Sequence, residues 1–443
     1  MTTVRPAADD DGWRPTWAHA RAVVLGPLGL FVAIVLHRPD LLVIGSPLLV
    51  IAVWSVLTRP QGAPTVTAAI GRRRLREGEA TTTRYTVSAP PGASEVSVSS
   101  AATPWVETRP GHGTALHAVD AAAPVTDVDL TVRMTRWGQH VVGPAAVGAL
   151  SSWGAYQWGP TTTTAWTIEV MPAAAIFDGR APMPHPHGLV GIDRSARPGA
   201  GSEFASIRPF QLGDRLRRIH WPSSLRSDGL NVTATYADND SQVIVVIDAR
   251  NDVGVSRGLD GTPSSLDATV RAAAALCEHH VRRGDRVGLQ VTQARRPLVV
   301  RPATGMPHLR RMLAAMARIE PGGTDDERAD ARMRIDAGAL VLMCSPLIST
   351  IPMQRAVALT RRGLVLVVVD TLPHAVEHHV DPADRDRETT ELAWRIRLLE
   401  RSADIRSITR AGVPVVDWRG PGSLDQVLRD VARRARAPRM AAR

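Results

Sequence analysis

The sequence predicts a chain in three parts: two hydrophobic helices, a β-sandwich, and an α/β domain with a doubly wound sheet. Three observations carry this reading. Two apolar runs, nearly free of charge, lie close to the N-terminus. A long stretch then alternates Thr, Val and Ser with small residues and turn signals. From Gln242 onward, short apolar runs alternate with amphipathic ones.

The apolar runs come first. Ala20 to Leu36 is apolar apart from Arg21, and Leu41 to Leu57 is again an apolar, charge-free run. Each is near the lower limit of ~17–25 residues for a helix that spans a bilayer. A cleaved signal peptide would need a small-residue cleavage site after the first run, and a second apolar run stands there instead. The break between the runs carries only Arg38. Arg5, Arg14 and Arg21 precede it, and Arg59, Arg72, Arg73, Arg74 and Arg76 follow. The positive-inside rule then places both ends, and everything after residue 59, in the cytoplasm. Residues 1–59 form the N-terminal tail and anchor, with helices at about 20–36 and 41–57.

Residues 60–172 read as the sandwich. Thr81 to Ser88 and Val125 to Met134 have the period of two expected of strands, and Pro90-Pro91-Gly92 and Pro110-Gly111 mark turns. Residues 173–241 open as a linker rich in Pro, Gly and His. Residues 242–437 follow as the α/β domain, with a basic tail at 438–443. Strands are expected at Val243–Asp248, Val287–Thr292, Leu298–Arg301, Ala339–Cys344, Leu364–Asp370 and Val413–Asp417. Helices are expected at Ser265–Arg283, Pro307–Ile319, Asp325–Asp336, Arg387–Ser402 and Ser423–Arg436. Fully apolar strands between helices imply a parallel sheet covered on both faces. Ligands of such sheets bind at the carboxyl ends of the strands, and Asp248 stands at one of them.

Composition narrows the chemistry. The chain has a net charge of +10, and all 53 of its basic side chains other than His are arginine. A sequence without lysine cannot build a P-loop, a protein-kinase site or a Schiff-base enzyme. Arginine, alanine, glycine and proline together reflect GC-rich coding, so the basic pI argues little for nucleic acid, and no nucleic-acid partner is expected. Cys277 and Cys344 lie in apolar runs without a C-x-x-C pairing and read as buried free thiols.

The most distinctive segment is Gly201 to Arg226, GSEFASIRPFQLGDRLRRIHWPSSLR. A Gly213-Asp214 turn opens a short helix that Asp214 can cap while pairing with Arg217 or Arg218. Two readings are open. In one the segment is a clasp held by internal ion pairs. In the other it is a docking surface anchored by Arg208 and Trp221. The segment resembles the signature of the family called domain of unknown function fifty-eight, G-x-E-F-x-x-L-R-x-Y-x-x-G-D-x-x-R-x-I-H-W-x-x-S-A-R. Gly201, Glu203, Phe204, Arg208, Gly213, Asp214, Arg217, Ile219, His220, Trp221, Ser224 and Arg226 fall on it; Ile207, Phe210 and Leu225 depart. Upstream, Arg136-Trp137-Gly138, Gly143-Pro144 and Val170-Met171-Pro172 are family-like. Ser152-Trp153-Gly154-Ala155-Tyr156 replaces the usual D-P-F-G-L. The resemblance extends over nearly the whole chain.

It implies that the α/β domain is similar to a von Willebrand factor A domain and that a MoxR-type AAA+ ATPase is the partner. Such domains often hold Mg²⁺ through D-x-S-x-S, a Thr on a second loop and an Asp after the fourth strand. Here Asp248 and Thr324 remain. Arg250 and Asp252 replace the serines, and Cys344-Ser345-Pro346 replaces the Asp element. No bound metal or other cofactor is expected. Gly254-Val255-Ser256-Arg257-Gly258 matches G-x-S-x-G, but away from the strand-to-helix turn that a nucleophile elbow requires. The paired histidines 185/187, 279/280 and 378/379 read as surface or core residues, and the C-terminal arginines as a solvated helix end. The expectation is a non-catalytic binding or assembly module on the inner face of the cytoplasmic membrane. The alternative is a metal-assisted hydrolase or metal-dependent ligand-binding domain around Asp248.

Overall fold

In a computed structural model of the chain, the structure describes residues 2–4, 12–101, 103–120, 122–173, 198–211, 214, 216–227, 229–236, 242–292, 298–322, 335, 339–374 and 386–419. The chain divides into two compact units, Met1–Met171 and Pro172–Arg443.

The first unit opens with strands β1 (Thr2–Val4) and β2 (Trp13–Pro15) and helices α1 (Trp17–Val35) and α2 (Pro39–Leu57). Both helices begin before the apolar runs, because helix starts are set by caps rather than hydropathy. The Thr16 hydroxyl accepts the His19 N–H at 3.2 Å, and Pro39 occupies the first turn of α2. Glycine lets the pair pack closely. A Cβ on Gly26 would stand 2.8 Å from the Leu49 nitrogen. The outward faces keep Val24, Leu28, Phe31, Ile34, Val43 and Ile44 exposed. Both helices are long and apolar enough to cross a membrane.

Eleven further strands follow: β3 (Thr65–Ile70), β4 (Arg74–Arg76), β5 (Ala80–Ser88), β6 (Ala93–Ser100), β7 (Val106–Arg109), β8 (Thr114–Ala118), β9 (Val125–Met134), β10 (Gly138–Val142), β11 (Ala145–Ser151), β12 (Tyr156–Thr162) and β13 (Trp166–Met171). They form two five-stranded sheets, β1-β3-β5-β9-β7 and β2-β12-β11-β6-β8, and a smaller one, β10-β13-β4. The two large sheets share one core, with Val66, Tyr85 and Val128 meeting Val96, Val147 and Trp158. Burial alternates along β5, as the period of two requires. Residues 2–4 and 13–15 pair with these sheets, so the two described strands before α1 join the β-rich region. Three-residue strands are too short for a periodicity to reveal them.

The second unit begins with a hairpin of β14 (Pro198–Pro209) and β15 (Asn231–Tyr236), enclosing the short helix α3 (Trp221–Ser224). The first half of the signature is therefore a strand where the sequence suggested only a turn and helix. Next come β16 (Gln242–Asp248), α4 (Ser265–Arg282), β17 (Arg286–Thr292), β18 (Leu298–Ala303), α5 (Met306–Met316), β19 (Leu340–Ser345), α6 (Thr350–Arg361), β20 (Val365–Asp370), α7 (Arg387–Arg410) and β21 (Val415–Asp417). The strands form one sheet, β18-β17-β16-β19-β20-β21. All are parallel except the edge strand β18, which is antiparallel to β17. Chain order reverses between β16 and β19, and this is the switch point. Ile244, Val246, Val341 and Val368 pack with Met353 of α6 and Ile408 of α7, while α4 packs against β16, β17 and β19. Helix α6 was not expected, since Pro352 obscures its start, but proline is tolerated in a first turn. The helices expected at 325–336 and 423–436 lie outside the described residues, residue 335 excepted.

Candidate functional site

The strand ends at the switch point form a closed polar cluster. β16 and β19 run parallel side by side, which brings Asp248 beside Ser345. The Ser345 hydroxyl donates to Asp248 Oδ2 at 2.7 Å, and Arg250 Nε donates to Oδ1 at 3.2 Å. Both side chains of the ion pair are buried, Arg250 at 9% exposure and Asp248 at 4%. Arg250 therefore places its guanidinium on the carboxylate that would face a cation. Asp252 lies at the start of α4, where its Oδ1 accepts the Leu266 N–H at 3.0 Å. The Gly322 N–H donates to the Ala249 carbonyl at 3.2 Å, so the loop leading to residue 324 abuts the Asp248 loop. Thr324 itself lies outside the described residues.

A second carboxylate, Asp370, ends β20, the strand beyond β19. Asp370 is buried, which raises its pKa, while the charge of Arg401 pulls the other way. Arg401 of α7 bonds Asp370 and also donates Nε to the Pro346 carbonyl at 2.9 Å. Arg397 donates Nε to the Ile348 carbonyl at 2.8 Å. Helix α7 thus ties down the ends of β19 and β20. Sequence reasoning missed Asp370 as a site residue, although its run ends in Asp just as the Asp248 run does. It also missed Ser345 and Arg401, whose pairings exist only in the folded sheet.

The signature hairpin is built differently. Arg208 on β14 grips Asp214 with two bonds, at 2.8 and 2.7 Å, and Asp214 also accepts the Gln211 N–H at 2.9 Å. Arg208, then the Gln211 N–H, holds the Asp214 carboxyl below its ordinary range. The expected pairing of Asp214 with Arg217 or Arg218 is corrected: its bonded partner is Arg208, six residues earlier. Arg218 adds only a weaker electrostatic pull. The short helix after the Gly213-Asp214 turn is a single 3-10 turn, Leu216–Arg218. The separate helix α3 is capped by His220, whose Nδ1 accepts the Ser223 N–H at 3.2 Å. The Ser224 hydroxyl bonds His220 and Asn231, clipping α3 to β15.

The large apolar residues of this segment face outward. Trp221 is 59% exposed, and Phe204, Ile207, Leu216 and Leu225 are exposed with it. Arg217 and Arg226 are also exposed. Gly201 lies on β14, as does Glu203, while Gly213 is outside the described residues. A clasp anchored by a buried Trp221 is therefore not what the segment forms. Its internal ion pair is present, but the tryptophan is left over.

The remaining motifs are quiet. Ser256 is buried in its loop and accepts the Gly258 N–H at 3.2 Å. Cys277 and Cys344 are buried free thiols, as expected, and burial raises the pKa of both, that of Cys344 to about 12. His279 and His280 are core residues of α4, and His280 Nδ1 meets Asp285 at 2.8 Å. The pairs at 185/187 and 378/379 lie outside the described residues, as does the arginine-rich C-terminus.

The sequence model of the family described as "Protein of unknown function DUF58" matches residues 206–392. The signature from Arg208 to Arg226 lies inside that span, which is narrower than the nearly full-length resemblance expected from the sequence. An uncharacterized protein of Mycobacterium tuberculosis is 28% identical over 270 residues, covering 54% of this chain and 81% of its own. An uncharacterized protein of Mycobacterium bovis matches at the same values. Among solved structures, the cupredoxin domain of amoB from Nitrosocaldus yellowstonii matches with a TM-score of 0.17 and 8% identity. That match covers 25% of this chain and 88% of the amoB domain.

Proposed function

We propose that this protein is a membrane-anchored, cytoplasm-facing binding or assembly module that works with a MoxR-type AAA+ ATPase through its signature hairpin. One observation carries the reading. The hairpin pairs Arg208 with Asp214, yet leaves each of Trp221, Phe204, Ile207, Leu216 and Leu225 exposed. Exposed clusters of large apolar residues mark interaction sites, and Trp and Arg are the residue types that dominate them. The α/β part supports a von Willebrand factor A-like reading through its strand order and single antiparallel edge strand. The two apolar helices and the distribution of arginine support the anchor and its orientation.

The metal-assisted alternative at Asp248 stands second. Its carboxylate is already bonded by Ser345 and Arg250, and a divalent cation would have to displace a buried guanidinium. The test of the leading reading is capture. The full chain held in lipid nanodiscs should retain a purified MoxR-type ATPase from the same genome, and the Phe204→Ala and Trp221→Ala double variant should not. Equal retention by both would overturn the assignment of the hairpin as the docking surface.

A further inference from the structure

We infer that the β-rich region carries a second membrane contact, the Ser152–Gly154 turn with Trp153 at its tip, which inserts into the lipid headgroup layer beside the two helices. The inference rests on the reading that α1 and α2 span a bilayer. Its grounds lie wholly within the first unit. The turn is bonded to the start of α1: the Thr16 N–H donates to the Ala155 carbonyl at 2.9 Å, and the Thr16 hydroxyl donates to the Gly154 carbonyl at 2.7 Å. The same turn lies against the end of α2. The Ser152 N–H donates to the Gly92 carbonyl at 3.2 Å, and Gly92 sits so close under α2 that a Cβ there would stand 2.6 Å from the Thr58 carbonyl oxygen. The two helices form a hairpin, so the start of α1 and the end of α2 share one face of the bilayer. A helix of 19 residues is about 28 Å long, close to the hydrocarbon thickness, so its first residue lies at the headgroup boundary.

Trp153 is therefore held at that depth, and its backbone is unusual. It has φ of 60°, in the left-handed region that a bulky side chain rarely enters, and the residue is 69% exposed. Such a conformation in an exposed, bulky residue holds the side chain out from the turn instead of packing it. Trp17, at the first position of α1, is 82% exposed, and Trp54, near the end of α2, is 55% exposed. Three exposed tryptophans near the same end of the helix pair match the aromatic belt that membrane proteins place at the headgroups. Arg14 and Arg59 are exposed at the same end, where anionic lipid would attract them. The partner is therefore a lipid surface, and the contact fixes the β-rich region against it.

The experiment uses the full chain in vesicles of phosphatidylcholine and phosphatidylglycerol. Single thiols are introduced by Trp153→Cys, Leu25→Cys in α1 and Leu116→Cys in β8, and each is labelled with bimane. The native thiols Cys277 and Cys344 are buried and stay unlabelled. The label at 153 should be blue-shifted and quenched by lipid carrying a nitroxide near the headgroup, the label at 25 by a nitroxide deep in the chain, and the label at 116 by neither. Quenching at 25 without quenching at 153 would overturn this inference and leave the anchor standing. Quenching at neither would overturn both. Should the Cys variant fail to fold, brominated lipid gives the same information on native tryptophan: Trp153→Phe should remove part of the quenching, and an unchanged signal would overturn the inference.

Discussion

The pair Asp248 and Arg250 shows how much a single substitution can alter a site. A serine at position 250 would offer oxygen to a cation, whereas the arginine supplies the positive charge itself, within the chain. Added Mg²⁺ is expected to leave the melting temperature of the full chain unchanged. An increase abolished by Asp248→Ala would show a working metal site. Without metal, Asp248→Ala should destabilise by about 3–5 kcal/mol, because it removes the carboxylate of a buried ion pair. Chemical denaturation measures that loss. The sequence shows Asp248 and Arg250 two residues apart at the end of an apolar strand, so this half of the cluster was legible. Ser345 and the Arg401–Asp370 pair were not, since they meet only through strand pairing and helix packing. A pH dependence follows from His279. Burial, with the charges of His280 and Arg283, depresses its pKa to about 4 from an ordinary 6.5. Between those values the unfolded chain binds a proton that the folded chain excludes. Stability is then full above about pH 6.5 and falls as pH drops toward 4. Melting curves across that range should show the fall, and His279→Leu should flatten it.

At the scale of elements, legibility followed the strength of the period. The long strands β5 and β9 and the apolar strands of the α/β sheet could be read from the sequence. β14 could not, because its Pro, Gly and Ser residues resemble a linker and its pairing with β15 is interrupted by bulges. The helix starts were misplaced by two or three residues because Thr16 and Pro39 set them from outside the apolar runs. The seating of α2 on the Gly92 turn gives a direct test. Gly92 has φ of 91°, and any side chain would meet the Thr58 carbonyl. Gly92→Ala should destabilise the full chain by roughly 1–3 kcal/mol, the cost of a strained backbone. A melting temperature equal to that of the wild type would show that this contact is not held in the folded chain.

For the molecule as a whole, Asp248 and Asp370 at the sheet ends are bonded within the chain, whereas the signature hairpin leaves large apolar residues exposed. The residues that could serve as docking anchors were visible in the sequence, but their exposure was not, since a Trp beside mixed charges reads equally well as a buried brace. Trp221 separates the two directly. Its replacement by alanine should leave melting within about 0.5 kcal/mol of wild type, as for a surface residue away from any network. The same change should weaken binding of the MoxR-type ATPase to the nanodisc-held full chain about thirtyfold, the equivalent of a 2 kcal/mol anchor. A drop in melting temperature with ATPase binding unchanged would contradict the docking role and restore the clasp.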